Sequence, residues 1–164
     1  MRTRIHCWPS VLTLGVAFGC MPAHADGTAP RLVAITSNVP PHLAMSRETL
    51  RNVYLKKIFV DGNGQRLVPV NLPPASALRD TFVSSLLDMP ESRLADYWNR
   101  QYFQGVSPPY VLASQQAVVR FVATTPGAIG YVASCHLDAQ VRVVLVVAPS
   151  IDPAAADCTP AHQP

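Results

Sequence analysis

The chain has 164 residues, of which 49% are hydrophobic and only 14% are charged, and its formal net charge is +3. This length allows one ordinary domain and excludes a large two-lobed protein, since domains commonly contain about 100–150 residues. The low charged fraction excludes a disordered tail protein, and the small basic excess does not indicate a nucleic-acid-binding protein, which would cluster its basic residues.

The first 25 residues have the three parts of a secretory signal peptide. Two arginines lie among the first four residues, Val11–Gly19 is a short apolar core, and Ala23-His24-Ala25 matches a small-residue cleavage motif. The apolar core is too short to span a membrane, which takes about 20 residues, and no later segment is long enough. We therefore predict cleavage after Ala25 and export to the periplasm. The alternative is a lipoprotein signal that ends at Cys20.

The first half of the mature chain predicts a strand, a helix and a second strand. Residues 31–36 have strand composition, and Pro40-Pro41 ends the strand. Ser46 can cap a helix that reaches the lysine pair before the next turn. Residues 66–70 form a second strand, in which Pro69 indicates an edge position or an irregularity.

The second half continues the alternation of helices and strands. Ser76 can cap a helix whose Leu78, Phe82 and Leu86 form a buried stripe. Pro90 lies near the start of the next helix, and Ser114 can cap another. The predicted strands of this half are residues 110–113, 128–132 and 141–147.

The order of these elements predicts one α/β domain over residues 26–149, with a mostly parallel or mixed sheet flanked by helices. Residues 150–164 are rich in proline and alanine. We predict that they form a C-terminal tail that is loose except where Cys158 holds it.

Two cysteines, Cys135 and Cys158, remain after the predicted cleavage. An even pair in an oxidising compartment favours a disulfide, and two free thiols are the alternative. No C-x-x-C spacing indicates a metal or redox site.

The sequence offers little catalytic chemistry. The three histidines of the mature chain, His42, His136 and His162, are far apart, and the carboxylates are scattered along the helices. No nucleophile elbow, P-loop, zinc-protease or dinucleotide motif occurs. We therefore expect no enzymatic activity, no cofactor and no bound metal; an enzyme would need His42 or His136 to meet a carboxylate in a pocket.

An aromatic run covers residues 97–103. Rings beside an arginine could stack nucleic-acid bases. However, Leu94, Trp98 and Tyr102 share one helix face, which favours packing of the rings in the core. We expect no nucleic-acid partner.

The segment that joins the second strand to the helix after Ser76 is a candidate oxyanion site. The first turn of a helix has unpaired N–H groups and partial positive charge. Ser76, the backbone of Ala77 and Leu78, and Arg79 are the candidate ligands. The alternative is that Ser76 only caps the helix.

Three segments resemble the periplasmic phosphate-binding proteins of ABC transporters: residues 46–57, residues 67–71 and Thr125–Val132, with the sequence TPGAIGYV. Ala77 and Leu78 stand where that family has the glycine and threonine of a Ser-Gly-Thr turn. The resemblance implies one lobe of a periplasmic-binding-protein-like fold, binding of phosphate or another oxyanion, and a membrane transporter as partner. The alternative is a periplasmic interaction or accessory module without a small-molecule ligand, because a lobe alone leaves a face uncovered.

Overall fold

The computed structural model describes residues 29–158. The predicted signal peptide, both of its alternative processing sites and His162 lie outside these residues. Within them, no helix is both long and apolar enough to cross a membrane.

Within residues 29–158, five strands and four helices follow the predicted order, a fifth short helix lies in the C-terminal segment, and the predicted α/β class is confirmed. The strands are β1 (Leu32–Ser37), β2 (Val68–Asn71), β3 (Tyr110–Val111), β4 (Ala128–Ala133) and β5 (Val141–Ala148). The helices are α1 (Arg47–Tyr54), α2 (Ala77–Phe82, continued by a wider turn at Val83–Leu87), α3 (Glu91–Tyr102), α4 (Gln115–Thr124) and α5 (Pro153–Ala156).

The strands form one mixed sheet in the order β3-β2-β4-β1-β5. β2 runs parallel to both β3 and β4, whereas β1 is antiparallel to β4 and β5. The first strand of the described chain is therefore enclosed between the last two. The parallel strands β2 and β3 end at the same edge of the sheet, and this edge carries the candidate site.

Pro69 lies in β2, which has β3 on one side and β4 on the other. The predicted edge position is therefore wrong for this strand. The N–H of Val68 donates to Gly127 on the β4 side at 2.9 Å. Because successive residues of a strand alternate sides, the nitrogen of Pro69 faces the β3 side. β3 pairs with β2 only from Val70 onward, so the missing N–H of proline loses no bond of the ladder.

The three predicted serine caps are confirmed. Ser46, Ser76 and Ser114 each accept a hydrogen bond from the backbone N–H three residues later, at 3.0, 3.4 and 3.2 Å. The predicted stripe of α2 is also confirmed, since its three side chains are at most 3% exposed. Helices α1, α2 and α4 thus present apolar faces to a sheet whose central strand β4 is buried along its whole length.

The buried contacts of α3 lie in its first two turns. Leu94 is 1% exposed, and Tyr97 donates its hydroxyl to the carbonyl of Leu55 at 2.6 Å. Beyond Trp98 no residue of α3 is fully buried, and Tyr102 is 71% exposed. The prediction that Tyr102 packs in the core with Trp98 is therefore wrong, because the last turn of α3 lies outside the packed region.

The C-terminal segment Ile151–Cys158 packs on the domain. Ile151 and Ala156 are buried, and Gln115 donates its amide Nε2 to the carbonyl of Ala156 at 2.8 Å. The predicted disulfide between Cys135 and Cys158 is present, with a Cα–Cα distance of 5.8 Å. The loose tail that was predicted after Pro149 is wrong over this segment, because a short helix and buried side chains hold it.

Candidate functional site

A cavity of about 370 Å³ lies at the carboxyl ends of β2 and β3, and we call it the strand-end cavity. Three segments of the chain form its walls: the residues from the end of β2 into the first turn of α2, the residues from the end of β3 into the first turn of α4, and the C-terminal segment. The lining residues are Leu72, Pro73, Ala75, Ser76, Ala77, Ala113, Ser114, Gln115, Gln116, Ala154, Ala155 and Asp157.

The first turn of α2 supplies part of the predicted oxyanion site. The Ser76 hydroxyl oxygen accepts from the N–H of Arg79, so its own proton is free to reach a ligand. The N–H groups of Ala77 and Leu78 have no acceptor within the helix, as is usual for a first turn. The side chain of Leu78 is buried in the core, and Leu78 can contribute only its backbone.

The first turn of α4 faces the same cavity. The Ser114 oxygen accepts from Ala117, which again leaves the hydroxyl proton free. The backbone N–H groups of Gln115 and Gln116 lie in the first turn and have no intrahelical acceptor. Sequence reasoning identified the cap but missed its place in the site. The approach of Ser114 to Ser76 depends on the pairing of β2 with β3, which no local motif encodes.

Arg79 does not line the strand-end cavity. Its side chain is 9% exposed and donates from Nη1 to the carbonyl of Leu72 at 3.0 Å and from Nη2 to Oε1 of Glu91 at 2.6 Å. Among the described residues, neither its buried Nε nor the buried Oε2 of Glu91 has a hydrogen-bond partner. The structure thus brings Ser76 and Ala77 to the cavity and places the guanidinium behind the wall, in an ion pair.

No lysine or arginine is among the residues that line the strand-end cavity within the described chain, and Asp157 is its one charged residue. The positive potential available to an anion therefore comes from the two helix ends, each equivalent to about half a unit charge. Backbone N–H groups and the hydroxyls of Ser76 and Ser114 would provide the hydrogen bonds.

His136 ties the C-terminal segment to the domain. Its Nε2 lies 3.1 Å from the carbonyl oxygens of both Ala156 and Asp157, and its Nδ1 lies 3.3 Å from the amide nitrogen of Gln116. These partners are backbone carbonyls and an amide, not a carboxylate. His42 is exposed in the loop before α1.

Among the residues that the structure describes, no cluster of three or more His, Cys, Asp or Glu side chains could hold a metal ion.

No protein-family model matches the sequence, and no curated protein matches it. Several solved structures match the fold of the chain. An ABC-type phosphate transport receptor from Vibrio cholerae matches 76% of this chain and 52% of its own, with a TM-score of 0.56 and 19% identity. A protein from Clostridium perfringens, described as a phosphate ABC transporter substrate-binding protein with bound phosphate, matches 71% of this chain and 45% of its own, with a TM-score of 0.58 and 19% identity. PstS from Borrelia burgdorferi matches 66% of this chain and 42% of its own, with a TM-score of 0.51 and 17% identity.

These matches confirm the fold that the sequence resemblance implied. The chain has the α/β architecture of part of a phosphate ABC transporter substrate-binding protein. It spans about half the length of the solved structures it matches.

Proposed function

We propose that this protein is a periplasmic solute-binding-like protein that binds phosphate or another small oxyanion in the strand-end cavity. The observation that carries the proposal is the convergence of two helix first turns, those of α2 and α4, on one cavity at the ends of parallel strands. The shared fold with proteins named for phosphate transport supports it.

The chemistry of this site suits a small anion with several acceptor oxygens. Ser76 and the backbone N–H groups of Ala77 and Leu78 would bind from one side, and Ser114 with the first N–H groups of α4 from the other. Hydrogen bonds to a charged group contribute about 1.5–3 kcal/mol each, and more than one is needed to offset the loss of hydration. In this proposal Arg79 does not touch the ligand. Its guanidinium holds the carbonyl of the cavity-lining Leu72 through a hydrogen bond.

Isothermal titration of residues 26–164 with phosphate and with sulfate tests the proposal, with chloride as the reference anion. We expect saturable heat with phosphate or sulfate and none with chloride. The double variant Ser76→Ala/Ser114→Ala should lose most of this heat. Ser84→Ala is the matched control, because Ser84 is exposed and its hydroxyl donates to the carbonyl of Asp80 within its own helix. Absence of heat from the unmodified protein at millimolar phosphate and sulfate would exclude small-oxyanion binding.

The transporter partner that the resemblance implies belongs to this proposal, and so does the export that the first 25 residues predict. A cell-fractionation experiment with the full chain tests both the compartment and the cleavage after Ala25. The expected product is a periplasmic protein that begins at Asp26. A membrane-bound product modified at Cys20 would support the lipoprotein alternative instead.

A second candidate function is a protein-interaction module, and one observation favours it. At the end of α3, Tyr102 and Phe103 are 71% and 89% exposed, and on the edge strand Tyr110 is 71% exposed. Large exposed apolar side chains of this kind are typical of docking surfaces. A photo-crosslinking residue at position 103, used in cells, should capture a periplasmic or membrane protein if this function is correct. The same residue at exposed position 63 is the control.

A further inference from the structure

A second cavity, of about 320 Å³, lies at the other end of the strands, and we call it the β1-end cavity. It is lined by Thr36 and Ser37, where β1 ends, and by Ala128, where β4 begins. Since β1 is antiparallel to β4 and β2 is parallel to it, this is the end of the sheet opposite to the strand-end cavity. The proposed oxyanion site does not use it.

The walls of the β1-end cavity are mostly apolar. The segment after β1 and the turn before β4 contribute aliphatic side chains and proline rings, namely Val39, Pro40, Pro41, Leu43 and Pro126. Proline fixes its own backbone angle φ, so these walls have few conformations open to them. A volume above about 300 Å³, apolar walls and a few polar groups are typical of a site for a small molecule.

Asp61 is the one charged residue that lines this cavity within the described part of the chain. Its Oδ1 accepts hydrogen bonds from the backbone N–H groups of Asn63 and Gln65, both at 2.8 Å. These two bonds hold the carboxylate in the turn of residues 61–65. Both of them use Oδ1, and a carboxylate has lone pairs on each oxygen, so Oδ2 can accept from a ligand.

The other polar groups of the lining are also acceptors. α4 begins at the strand-end cavity and ends at this one, where Ala123 and Thr124 of its last turn line the wall. Carbonyls of a last turn have no N–H partner within the helix and carry about half a unit of negative charge. Thr36 is 2% exposed, and its hydroxyl lies 3.5 Å from the carbonyl of Ser37, at the outer limit of a hydrogen bond. The potential at this cavity is therefore negative.

We propose that the β1-end cavity binds a small organic ammonium ion that carries an apolar group. The ammonium would donate to Asp61 and to acceptors at the end of α4, and the apolar group would lie against the prolines. Hydrogen bonds between two charged groups are about twice as strong as neutral ones, so a neutral alcohol of the same shape should bind less tightly. This inference goes beyond the proposed function, because it concerns a different site and a ligand of opposite charge.

A titration of ¹⁵N-labelled residues 26–164 with phenethylammonium tests the inference by nuclear magnetic resonance. The backbone N–H resonances of Asn63 and Gln65 report on the Asp61 carboxylate, and they should shift and saturate. Gln140 provides the control resonance, since its N–H donates at 2.8 Å to Asp138, which does not line the cavity. 2-Phenylethanol should bind about tenfold more weakly or less, and phenylacetate should not bind.

Variants locate the site. Asp61→Asn keeps an Oδ1 acceptor for the turn but removes the charge, so the affinity for phenethylammonium should fall about tenfold. Asp138→Asn is the matched control and should leave the affinity unchanged. Ala123→Leu places a larger side chain in the wall and should abolish binding, whereas Ala95→Leu, at an exposed position of α3, should not.

Three results would overturn the inference: no shift of the Asn63 and Gln65 resonances at millimolar phenethylammonium, equal affinity for the ammonium ion and the alcohol, or unchanged binding in Ala123→Leu. If Asp61→Asn does not fold, the comparison of the three compounds on the unmodified protein decides, because it varies the charge of the ligand instead of the charge of the site.

Discussion

The rings of Phe82 and Tyr131 stack almost in parallel, with centroids 3.8 Å apart and planes at 7° to each other. This pair joins α2 to the central strand β4, and both rings are buried. Ser76 caps the helix that carries Phe82. The position of one wall of the strand-end cavity is therefore coupled to aromatic packing in the core.

Replacement of Phe82 by alanine should destabilise the protein strongly. The change removes a buried ring and leaves a cavity against Tyr131, which typically costs about 3–5 kcal/mol of unfolding free energy. Urea denaturation followed by circular dichroism measures it. Phe103→Ala is the control and should stay within about 0.5 kcal/mol, because Phe103 is 89% exposed. Equal losses in the two variants would contradict the described packing.

Gly130→Ala should also be destabilising, for a steric reason. A Cβ at Gly130 would overlap the side chain of Val118, where α4 packs on β4. Overpacking of this kind costs about 1–3 kcal/mol. Gly62→Ala is the matched control, since nothing lies within 4 Å of a Cβ there. The two variants should differ clearly in their thermal unfolding midpoints, and equal midpoints would show that α4 can move away from β4.

Loss of the disulfide should lower stability by about 3 kcal/mol, because the bond closes a loop across a sequence separation of 23 residues. The double variant Cys135→Ser/Cys158→Ser tests this with denaturant titration. The unmodified protein, unfolded without reductant, should show no free thiol in an Ellman titration. Two free thiols per chain would instead support the alternative that the sequence left open.

Stability should fall in alkaline solution. Burial raises the pKa of both Tyr54 and Tyr131 above the ordinary value of 10.0, and for Tyr54 the neighbouring Tyr131 adds to the shift. Above pH 10 the unfolded chain loses these protons while the folded chain keeps them. The stabilisation is thus fully present below pH 10 and is lost as the pH rises, by up to about 1.4 kcal/mol per pH unit for each phenol.

Urea midpoints measured from pH 8 to pH 11 check this expectation. In Tyr131→Phe the urea midpoint should fall less steeply with pH above pH 10, because one of the two phenols is gone. Burial lowers the pKa of Lys56. This shift makes stability rise with pH, opposite to the effect of the two tyrosines. The side chain of Lys56 is only partly buried, and two buried phenols should outweigh it. A midpoint that is constant to pH 11 would contradict the burial of these hydroxyls.

Local signals in the sequence predicted the elements well. The serine caps at Ser46, Ser76 and Ser114 and the apolar stripe of α2 are short-range features, and the structure places each as predicted. Hydrogen bonds between neighbouring residues decide these features, so one sequence is enough to find them.

Features that depend on distant residues could not be predicted in the same way. The spacing of Leu94, Trp98 and Tyr102 correctly defines a helix face, but it does not tell how far the rest of the protein extends along that face. Likewise, nothing near Arg79 indicates its ion pair with Glu91, since the pair depends on how α3 returns to α2. The composition after Pro149 predicted a loose tail. Ile151 and Ala156 are nevertheless buried against the domain, and composition alone does not show this.

The position of β1 has a consequence for the order of folding. Residues near the start of the described chain, such as Val33, pair with Val132 and Val146, about a hundred positions later. Contacts of such long range slow folding, because a large loop must close before they form. Because β5 is the last strand in the chain and pairs with β1, the sheet can be completed only after β5 has been synthesised. If the chain crosses a membrane starting from its N-terminus, β1 would therefore lack both of its partner strands until almost all of the chain has crossed.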